Sequence, residues 1–426
     1  MRPSHLDTID AKAWPGIAQV PSGLLIDVRA RLAEASFARA CTNAGLSLDP
    51  EGSADLIVER EELFARLAVS GWLGLAEGYL AGEWRTDSLT DVLAAFLRTG
   101  YRPRGMSRLP VGVGTGGEIP AELVRLSSGD GMSDFSGVFA SGVPTTVRTS
   151  VPSHASDGPD THFIDLTTFT PPLGAERGDL GDAQRRSADM LLDAALVTPG
   201  THLMEFPSSG GAVAMGAARR RATVDTLTAD AAQAAAVRES LTFAGVDDNV
   251  HTSVISQSLP GPRDWLGRYD SIISVDKLAV VEPRERVELL RSFDRILDHG
   301  GRIALQTPVA TEATTPAARA ALGFLRAYVW PGLDYPTVVD VHSLVDRETG
   351  LRVIGQTHLA EHAQQTLAMQ RSLFEGHSRE AAAEGFDSVY RRLWRYQFAL
   401  REAMFRLGML DVVQFTLTHR HRRGRR

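Results

Sequence analysis

The pattern of apolar and polar positions divides the chain into three parts. Residues 24–40 and 61–69 carry apolar side chains at helical spacing, which predicts a helical N-terminal region. From about residue 183 onward, amphipathic helical segments alternate with short apolar runs. These runs predict five strands, at residues 201–206, 222–227, 250–255, 269–275 and 301–307. Strands separated by helices indicate an α/β fold, a doubly wound and mostly parallel sheet beside a smaller N-terminal helical lobe.

The stretch between these parts, from about residue 101 to residue 160, is dominated by Gly, Ser, Thr and Pro. It offers few bulky side chains to bury, so we expect a linker whose residues 103–152 are poorly ordered. The domain boundaries that follow are residues 1–100 for the N-terminal lobe, 101–160 for the linker, 161–418 for the sheet domain and 419–426 for a basic tail.

Composition argues against a nucleic acid partner, a disulfide framework, a thiolate zinc site and a membrane-spanning helix. A net charge of −7 over 426 residues gives no reason to expect a nucleic acid partner. The single cysteine, Cys41, excludes an intramolecular disulfide and a thiolate zinc site, and we predict no metal centre. The sequence contains no run of the roughly 18 apolar residues that a spanning helix needs, and its first residues lack the apolar core of a signal peptide. We therefore expect a cytoplasmic protein.

Two segments point to peripheral contact with the inner face of a membrane. The basic tail, residues 419–426, would gain about 1 kcal/mol per basic residue on anionic headgroups; a solvated, disordered end is the alternative. In residues 71–80, GWLGLAEGYL, aromatic and aliphatic side chains crowd around glycines. This pattern fits a lipid-contacting segment, and it equally fits an internal packing helix.

Several segments together resemble one family. They are WPGIAQVPSG (14–23), GLAEGYLAGEW (74–84), AQRRSADMLLDAALVTPG (183–200), AYVWPG (327–332) and the closing residues 385–418. In this order they are similar to the cyclopropane-fatty-acyl-phospholipid synthase family, and within it to tuberculostearic-acid-type enzymes. The resemblance implies a class I, Rossmann-like methyltransferase that uses S-adenosylmethionine (SAM) and acts on phospholipid acyl chains.

The resemblance also assigns cofactor-binding residues. In this family SAM lies over a glycine-rich turn after the first strand, and here that strand is followed by PSSGGA, residues 207–212. Pro207 and Ser209 stand where the family has glycines, and a side chain at position 209 should crowd the cofactor. Ser256 stands where the family has an aspartate that accepts from the adenine amine. The cofactor-binding residues implied are Glu205, Gly210, Gly211, Thr226, Gln233 and Ser256. The replacements predict that SAM binds weakly or not at all.

The chemistry implied is methyl transfer to an alkene through a carbocation, with a bound bicarbonate ion as the base. The catalytic residues implied are Tyr328 and Gln306, with Asp276 as a nearby acid. Pro171 stands where the family has a cysteine, and Ala279 where it has a glutamate. A phenol with a pKa near its ordinary value of about 10 is a poor base at neutral pH.

Three hypotheses remain open at this point. The first is a divergent lipid methyltransferase. The second is a non-catalytic lipid-binding protein or partner subunit, a pseudoenzyme that assists an active relative. The oligomers expected are a homo-oligomer or a hetero-oligomer with a related methyltransferase. The third is a stable fold with an unrelated small ligand.

Overall fold

The computed structural model describes residues 3–48, 54–103, 105, 118–156 and 158–420. Their strands are β1 (Ile57–Val58), β2 (Trp84–Arg85), β3 (Pro144–Pro152), β4 (Thr161–Phe169), β5 (His202–Glu205), β6 (Thr223–Thr228), β7 (Val250–Val254), β8 (Tyr269–Val275), β9 (Leu297–Ala310), β10 (Leu351–His358) and β11 (Leu410–His419).

The helices of the same residues are α1 (Leu24–Ala44), α2 (Glu62–Ser70), α3 (Trp72–Ala81), α4 (Leu89–Arg98), α5 (Ala121–Ser127), α6 (Leu180–Ala194), α7 (Ala212–Arg219), α8 (Ala231–Ala244), α9 (Lys277–Val280), α10 (Pro283–Ile296), α11 (Pro316–Ala321), α12 (Gly323–Tyr328), α13 (Val338–Glu348), α14 (Ala360–Gly376), α15 (Ser378–Ala383) and α16 (Ser388–Arg406).

The large sheet has nine strands in the order β3-β4-β10-β11-β9-β8-β5-β6-β7. The pairs β4–β10, β9–β8, β8–β5, β5–β6 and β6–β7 are parallel, whereas β11 is antiparallel to both of its neighbours. All five predicted strands are present, as β5 to β9. The prediction of a doubly wound, mostly parallel sheet is confirmed, and its ligand-binding edge is the one at the carboxyl ends of the parallel strands.

Both faces of the sheet are covered by apolar side chains, as a doubly wound fold requires. One cluster centres on Ile272, Phe293 and Phe415, and the other on Leu191, Val213 and Ile273. Local signals set several helix limits: Asp230 accepts from the backbone N–H of Ala232 at the start of α8. The adjacent strands β8 and β5 contribute side chains to both apolar clusters, so the core packs on both sides of these strands.

The linker prediction for residues 101–160 is wrong for the part that the structure describes. Residues 118–156 contain helix α5 and all of strand β3, which pairs with β4 over nine residues. Seven of the nine side chains of β3 are exposed, so burial of apolar groups gives this strand no sequence signal. The backbone ladder with β4 holds it at the sheet edge. Residues 104 and 106–117, where the GVGTGG run lies, are outside the described residues.

The chain forms two compact units that differ from the expected domains. The first contains residues 1–114, 312–331 and 374–409, and the second contains residues 115–311, 332–373 and 410–426. The first unit therefore includes α11, α12, α15 and α16, which the predicted boundaries assigned to the sheet domain. Helix α16 packs on α3 and α4, where Thr90 donates to Glu402 across 3.1 Å. Linear composition cannot reveal such a discontinuous unit, because its segments meet only in the folded chain.

Within the first unit, helix α3 answers the question left open for residues 71–80. Trp72, Leu75 and Leu80 are buried, and a Cβ at Gly74 would lie 2.1 Å from the carbonyl oxygen of Arg66 on α2. Glycine is required there because α2 and α3 approach too closely for a side chain. The GWLGLAEGYL stretch is an internal packing helix.

An ion pair holds the N-terminal segment of the first unit. The guanidinium of Arg66 donates through Nε to both carboxylate oxygens of Glu83, each at 2.9 Å, and both side chains are fully buried. The remaining nitrogens donate to the carbonyl oxygens of Gly16, Ile17 and Gln19. The WPGIAQVPSG segment is therefore held by three hydrogen bonds from one side chain, which the ion pair with Glu83 fixes in place.

Within the described ranges of the chain, none of the helices combines the length and the apolar character that crossing a membrane demands.

Candidate cofactor site

The turn between β5 and α7 is held from below by a buried carboxylate. Glu205, the last residue of β5, is fully buried. Its Oε1 accepts from the backbone N–H of Ser209 at 3.0 Å and from the Ser209 hydroxyl, and its Oε2 accepts from the Thr226 hydroxyl at 2.7 Å. Burial raises the pKa of Glu205, and the donated hydrogen bonds oppose that rise. Glu205 thus fixes the turn to β5 and to the neighbouring β6.

The backbone of the turn has the conformation that the cofactor prediction requires at two positions. Gly210 and Gly211 have φ values of 73° and 101°, in the left-handed region that favours glycine. A Cβ at Gly210 would lie 1.9 Å from the carbonyl oxygen of Met132, so the segment around Met132 packs directly on the turn. Of the predicted cofactor-binding residues, these two glycines and Glu205 belong to one turn.

The expectation that Ser209 crowds a cofactor is not supported by its side-chain direction. Its hydroxyl donates to Glu205 and accepts from the backbone N–H of Val213 at 3.2 Å. The side chain therefore lies under the turn and caps the start of α7. Only the tertiary arrangement reveals this, because a serine and a carboxylate four residues apart have no fixed geometry in a loop.

A second polar cluster lies at the carboxyl end of β6. The hydroxyl of Thr228 donates to Oε2 of Glu118, and the backbone N–H of Ala229 donates to Oε1 at 2.8 Å. The side-chain oxygen of Gln233 lies 2.6 Å from the Thr228 hydroxyl. Thr226, by contrast, is fully buried and donates to Glu205, so it belongs to the turn and not to the cluster around Thr228.

Glu118 was missed from the sequence. It is 9% exposed, and it heads a short segment, EIPAELV, which directly follows a glycine-rich run. The signal that could have found it is an acidic residue at the start of an apolar helical segment inside an otherwise low-complexity stretch.

Charged and aromatic groups border this cluster. Lys277 is 2% exposed, and its Nζ lies 5.4 Å from the centre of the Phe206 ring. Burial lowers the pKa of Lys277, whereas Glu118 and Glu285 act to raise it. Phe206 also meets Trp265 edge to face, with ring centres 6.3 Å apart. The ends of β5, β6 and β8 therefore share a compact set of opposite charges beside two aromatic rings.

Two predicted catalytic residues lie beside each other where β8 ends, Asp276 directly after β8 and Gln306 within β9. Asp276 follows β8 with φ of 57°, an uncommon conformation for a residue with a side chain, and its backbone N–H donates to the carbonyl oxygen of Gln306 at 2.8 Å. The side-chain oxygen of Gln306 accepts from Gln414 at 3.0 Å and from Ser187 at 3.3 Å. Among the described residues, its buried Nε2 has no hydrogen-bond partner.

Ser256, predicted to meet the adenine, lies in the loop after β7 and is exposed. The structure therefore brings Asp276 and Gln306 together, whereas Ser256 makes no contact with either polar cluster among the contacts of the described chain.

Tyr328 belongs to the other compact unit. Its hydroxyl donates to Oε1 of Glu77 at 2.8 Å, and a Cβ at Gly16 would lie 3.0 Å from that hydroxyl. Trp14 lies beside the ring, with ring centres 6.3 Å apart. Burial, together with the Glu77 carboxylate, raises the pKa of Tyr328 above its ordinary value. The phenolate that could act as a base is therefore even scarcer at neutral pH than an unperturbed tyrosine would give.

The residues matched to the bicarbonate site do not fit that ion. Ala279 is 1% exposed on α9 and offers no polar side chain, and its carbonyl oxygen accepts from the backbone N–H of Asp334 at 2.9 Å. Pro171 is exposed after β4, which lies between β3 and β10 near the opposite edge of the sheet from β5 and β6. Neither position supplies a donor for an anion, so bicarbonate remains a prediction from the resemblance alone.

Comparison with known proteins identifies the family. The sequence profile of mycolic acid cyclopropane synthetase matches residues 173–415, which is more than half of the chain. The chain belongs to the mycolic acid cyclopropane synthetase family. The similarity of the N-terminal segments extends this match, because the tuberculostearic acid methyltransferase UfaA1 of Mycobacterium tuberculosis is 28% identical over 96% of this chain and 96% of its own length. The cyclopropane mycolic acid synthase MmaA2 of the same organism is 27% identical over 60% of this chain and 91% of its own length.

Solved structures agree on the fold of this member of the cyclopropane synthetase family. The cyclopropane synthase MmaA2 from Mycobacterium tuberculosis superposes with a TM-score of 0.51 at 24% identity, over 58% of this chain and 88% of that one. Coclaurine N-methyltransferase, bound to N-methylheliamine and S-adenosylhomocysteine (SAH), superposes with a TM-score of 0.54 at 13% identity, over 94% and 96%. The class I methyltransferase fold implied by the resemblance is therefore confirmed.

The residues at the carboxyl edge have the chemical groups that a polar nucleoside ligand requires. The turn provides two left-handed glycines over a buried acid, and Gln233 and Glu118 provide amide and carboxylate groups beside it. Ser208, at 6% exposure, has a hydroxyl oxygen without a hydrogen-bond partner among the described residues. A buried polar atom without a partner costs free energy, which a polar ligand group would recover.

Proposed function

We propose that the protein is a methyltransferase that uses SAM and acts on acyl chains of lipids. The observation that supports this most directly is the set of polar groups at the ends of β5 and β6: Glu205, two left-handed glycines, Gln233 and Glu118. Membership of the cyclopropane synthetase family supports the class of reaction. The tuberculostearic acid methyltransferase, which aligns with nearly the whole chain, supports an acyl chain as the substrate.

Each group has a role in this proposal. SAM supplies an electrophilic methyl group when it is bound. Gly210 and Gly211 let the backbone approach the cofactor closely, and Gln233 forms hydrogen bonds to its polar part. Asp276 takes up the proton that the methylated chain must release, because a carboxylate is ionised at neutral pH, whereas the phenol of Tyr328 stays protonated. Gln306 orients Asp276 through the backbone hydrogen bond between them.

A second candidate function is lipid binding without turnover, as a pseudoenzyme or as the partner subunit of an active relative. Two observations favour it. Ala279 provides no carboxylate at the position that the family resemblance assigns to one, and the Tyr328 hydroxyl is already donated to Glu77. In this reading the protein would bind acyl chains, and a related methyltransferase would carry out the chemistry in a mixed oligomer.

Two measurements distinguish these functions. Calorimetric titration with SAH tests cofactor binding, with Gly210→Val as the control, because its side chain would meet the Met132 carbonyl. Incubation with dioleoyl phospholipid and methyl-labelled SAM, followed by mass spectrometry of the acyl chains, tests turnover. Binding together with labelled chains supports the enzyme, binding without labelled chains supports the pseudoenzyme, and absence of binding contradicts the proposal of SAM as cofactor.

The first unit also carries a surface suited to peripheral contact with a membrane. On α1, Leu24, Leu25, Val28 and Leu32 are 87%, 80%, 62% and 67% exposed. Their spacing places them on one side of the helix. Exposed apolar groups in a continuous stripe favour an interaction surface over a merely solvated face. We refer to these four residues as the α1 stripe.

Basic side chains adjoin the α1 stripe. A cavity of about 690 Å³ is lined by Leu32, Arg29, Arg39, Tyr101 and Arg102, among others. Apolar side chains that enter the acyl boundary and arginines that meet headgroup phosphates are the two requirements of an interfacial helix. The occupant that this charge favours is the anionic phospholipid surface at the inner membrane face, with the protein otherwise cytoplasmic.

A further inference from the structure

The end of β6 carries a carboxylate that does not come from β6. In doubly wound folds, an acidic side chain at the end of the strand beside the glycine turn accepts hydrogen bonds from a ribose. The acids that this part of the chain could supply itself are engaged elsewhere. Asp225 accepts from the Tyr269 hydroxyl at 2.8 Å, and Asp230 caps α8 through the N–H of Ala232. Glu118, more than a hundred residues upstream, is the carboxylate that contacts the strand end.

The position of Glu118 is determined by two bonds to that strand end. Its Oε1 accepts from the backbone N–H of Ala229 at 2.8 Å, and its Oε2 accepts from the Thr228 hydroxyl. Each carboxylate oxygen has two lone pairs, so a single hydrogen bond does not by itself exhaust the acceptor capacity of an oxygen. The side-chain amide of Gln233 contacts the same Thr228 hydroxyl, so the amide and the Glu118 carboxylate lie in one polar cluster.

A buried cation borders this carboxylate. Lys277 is buried in the same cluster and interacts electrostatically with Glu118. The segment that carries Glu118 is also fixed on the turn at a second point, because the Met132 carbonyl packs against Gly210. Residues 118–132 therefore connect the glycine turn to the end of β6, which are the two places where a nucleoside cofactor of this fold is held.

We propose that Glu118 binds the ribose hydroxyls of SAM, as the acid that the end of β6 lacks. This assignment rests on the proposed function. A ligand with 2′- and 3′-hydroxyls donates to Glu118 and uses Gln233 as a second partner. With Glu118 as the acid that binds the nucleoside, the exposed Ser256 does not have to replace the carboxylate that the family has after β7.

The test is calorimetric titration of the full-length protein with SAH and with its 2′-deoxyribose analogue. We expect Glu118→Gln to weaken SAH binding by roughly 10- to 100-fold, the factor for one hydrogen bond to a charged group. We expect the same variant to lose most of its preference for SAH over the deoxy analogue. Glu122→Gln, four residues further on at the start of α5, is the matched control and should keep both values.

Each outcome decides the assignment. A wild-type protein that binds no SAH overturns the proposed cofactor and this inference together. Wild-type binding with unchanged affinity and preference in Glu118→Gln overturns this inference alone. Tighter SAH binding by Glu118→Gln also overturns it, because Glu118 would then compete with the ribose. Thermal unfolding of the variant without ligand checks its fold, and Glu118→Asp, which keeps the charge at a shorter reach, should give an intermediate affinity.

Discussion

Ser209 donates both its backbone N–H and its hydroxyl to Glu205, so the side chain that replaces a glycine of the turn lies beneath that turn. The serine side chain therefore adds a hydrogen bond beneath the turn and does not fill the space above it. It removes the steric part of the argument that SAM cannot bind. The remaining differences from the family include Pro207 in the turn, Pro171 after β4, Ser256 after β7 and Ala279 after β8.

The first prediction concerns Ser209→Gly. We expect this variant to change the affinity for SAH less than about threefold, because no side chain is removed from above the turn. The free energy of unfolding should fall by about 1.5–3 kcal/mol, since a hydrogen bond to a buried carboxylate is lost. Calorimetry and urea denaturation measure the two effects. Ser208→Gly, at a hydroxyl without a partner among the described residues, is the control, and a tenfold gain in affinity for Ser209→Gly would contradict the prediction.

The second prediction concerns the buried pair Arg66–Glu83. Arg66→Met should lower the free energy of unfolding by about 3–5 kcal/mol, because the Glu83 carboxylate would remain buried without its charged partner. The double variant Arg66→Met, Glu83→Leu should be more stable than the single one, since the uncompensated charge is gone. Urea denaturation of the full-length protein gives both values.

The control for that pair is the exposed pair Arg85–Glu59, whose side chains are 59% and 42% exposed. Arg85→Met should cost less than about 1 kcal/mol, because solvent screens an exposed ion pair. Equal costs at Arg66 and Arg85 would show that burial of the first pair has no energetic consequence.

The third prediction is a decrease in stability below neutral pH. Burial lowers the pKa of His342 and of His362 below the ordinary value of about 6.5. The neutral ring of His362 accepts from the N–H of Phe139 through Nδ1 and donates to the carbonyl oxygen of Thr170. Below pH 6.5 the unfolded chain binds more protons than the folded chain, so the free energy of unfolding decreases as the pH falls.

Urea denaturation between pH 7.5 and pH 5 measures this dependence. His362→Asn keeps an acceptor for Phe139 and removes the titrating ring, so its stability should vary less with pH than that of the wild type. His251→Asn, at an exposed side chain, is the control and should follow the wild type. A wild-type stability that does not change over this range would contradict the prediction.

The fourth prediction tests the α1 stripe. Leu25→Asp and Leu32→Asp should each weaken binding to vesicles that contain phosphatidylglycerol by roughly 10- to 100-fold, because burial of a leucine is worth about 1.5–3 kcal/mol. Phe243→Asp is the control, since Phe243 is 96% exposed on α8 and lies outside the stripe. Vesicle flotation at low and high salt is the measurement. Unchanged binding by the leucine variants would show that α1 is not the contact surface.

The sequence could reveal the strands that bury a run of apolar side chains. Strands β5 to β9 were predicted because Leu203, Ile272 and their neighbours are apolar at positions that the sheet buries. The strand β3 was missed for the opposite reason, since seven of its nine side chains are exposed and its backbone bonds to β4 stabilise it. Hydrogen bonding between backbones leaves little trace in residue type.

In the candidate site, too, the sequence determined some features and the tertiary structure decided the others. By itself, the sequence determined strands β5 to β9, the family resemblance, and the positions of Glu205, Gly210 and Gly211 at the turn, because these depend on local order along the chain. Only the tertiary structure decided that Ser209 turns toward Glu205, that helices α11, α12, α15 and α16 join the first unit, and that Glu118 reaches the end of β6. These outcomes depend on which distant groups satisfy each other's hydrogen bonds and charges in the folded chain. Such partners are set by packing in three dimensions, and spacing along the sequence does not record them.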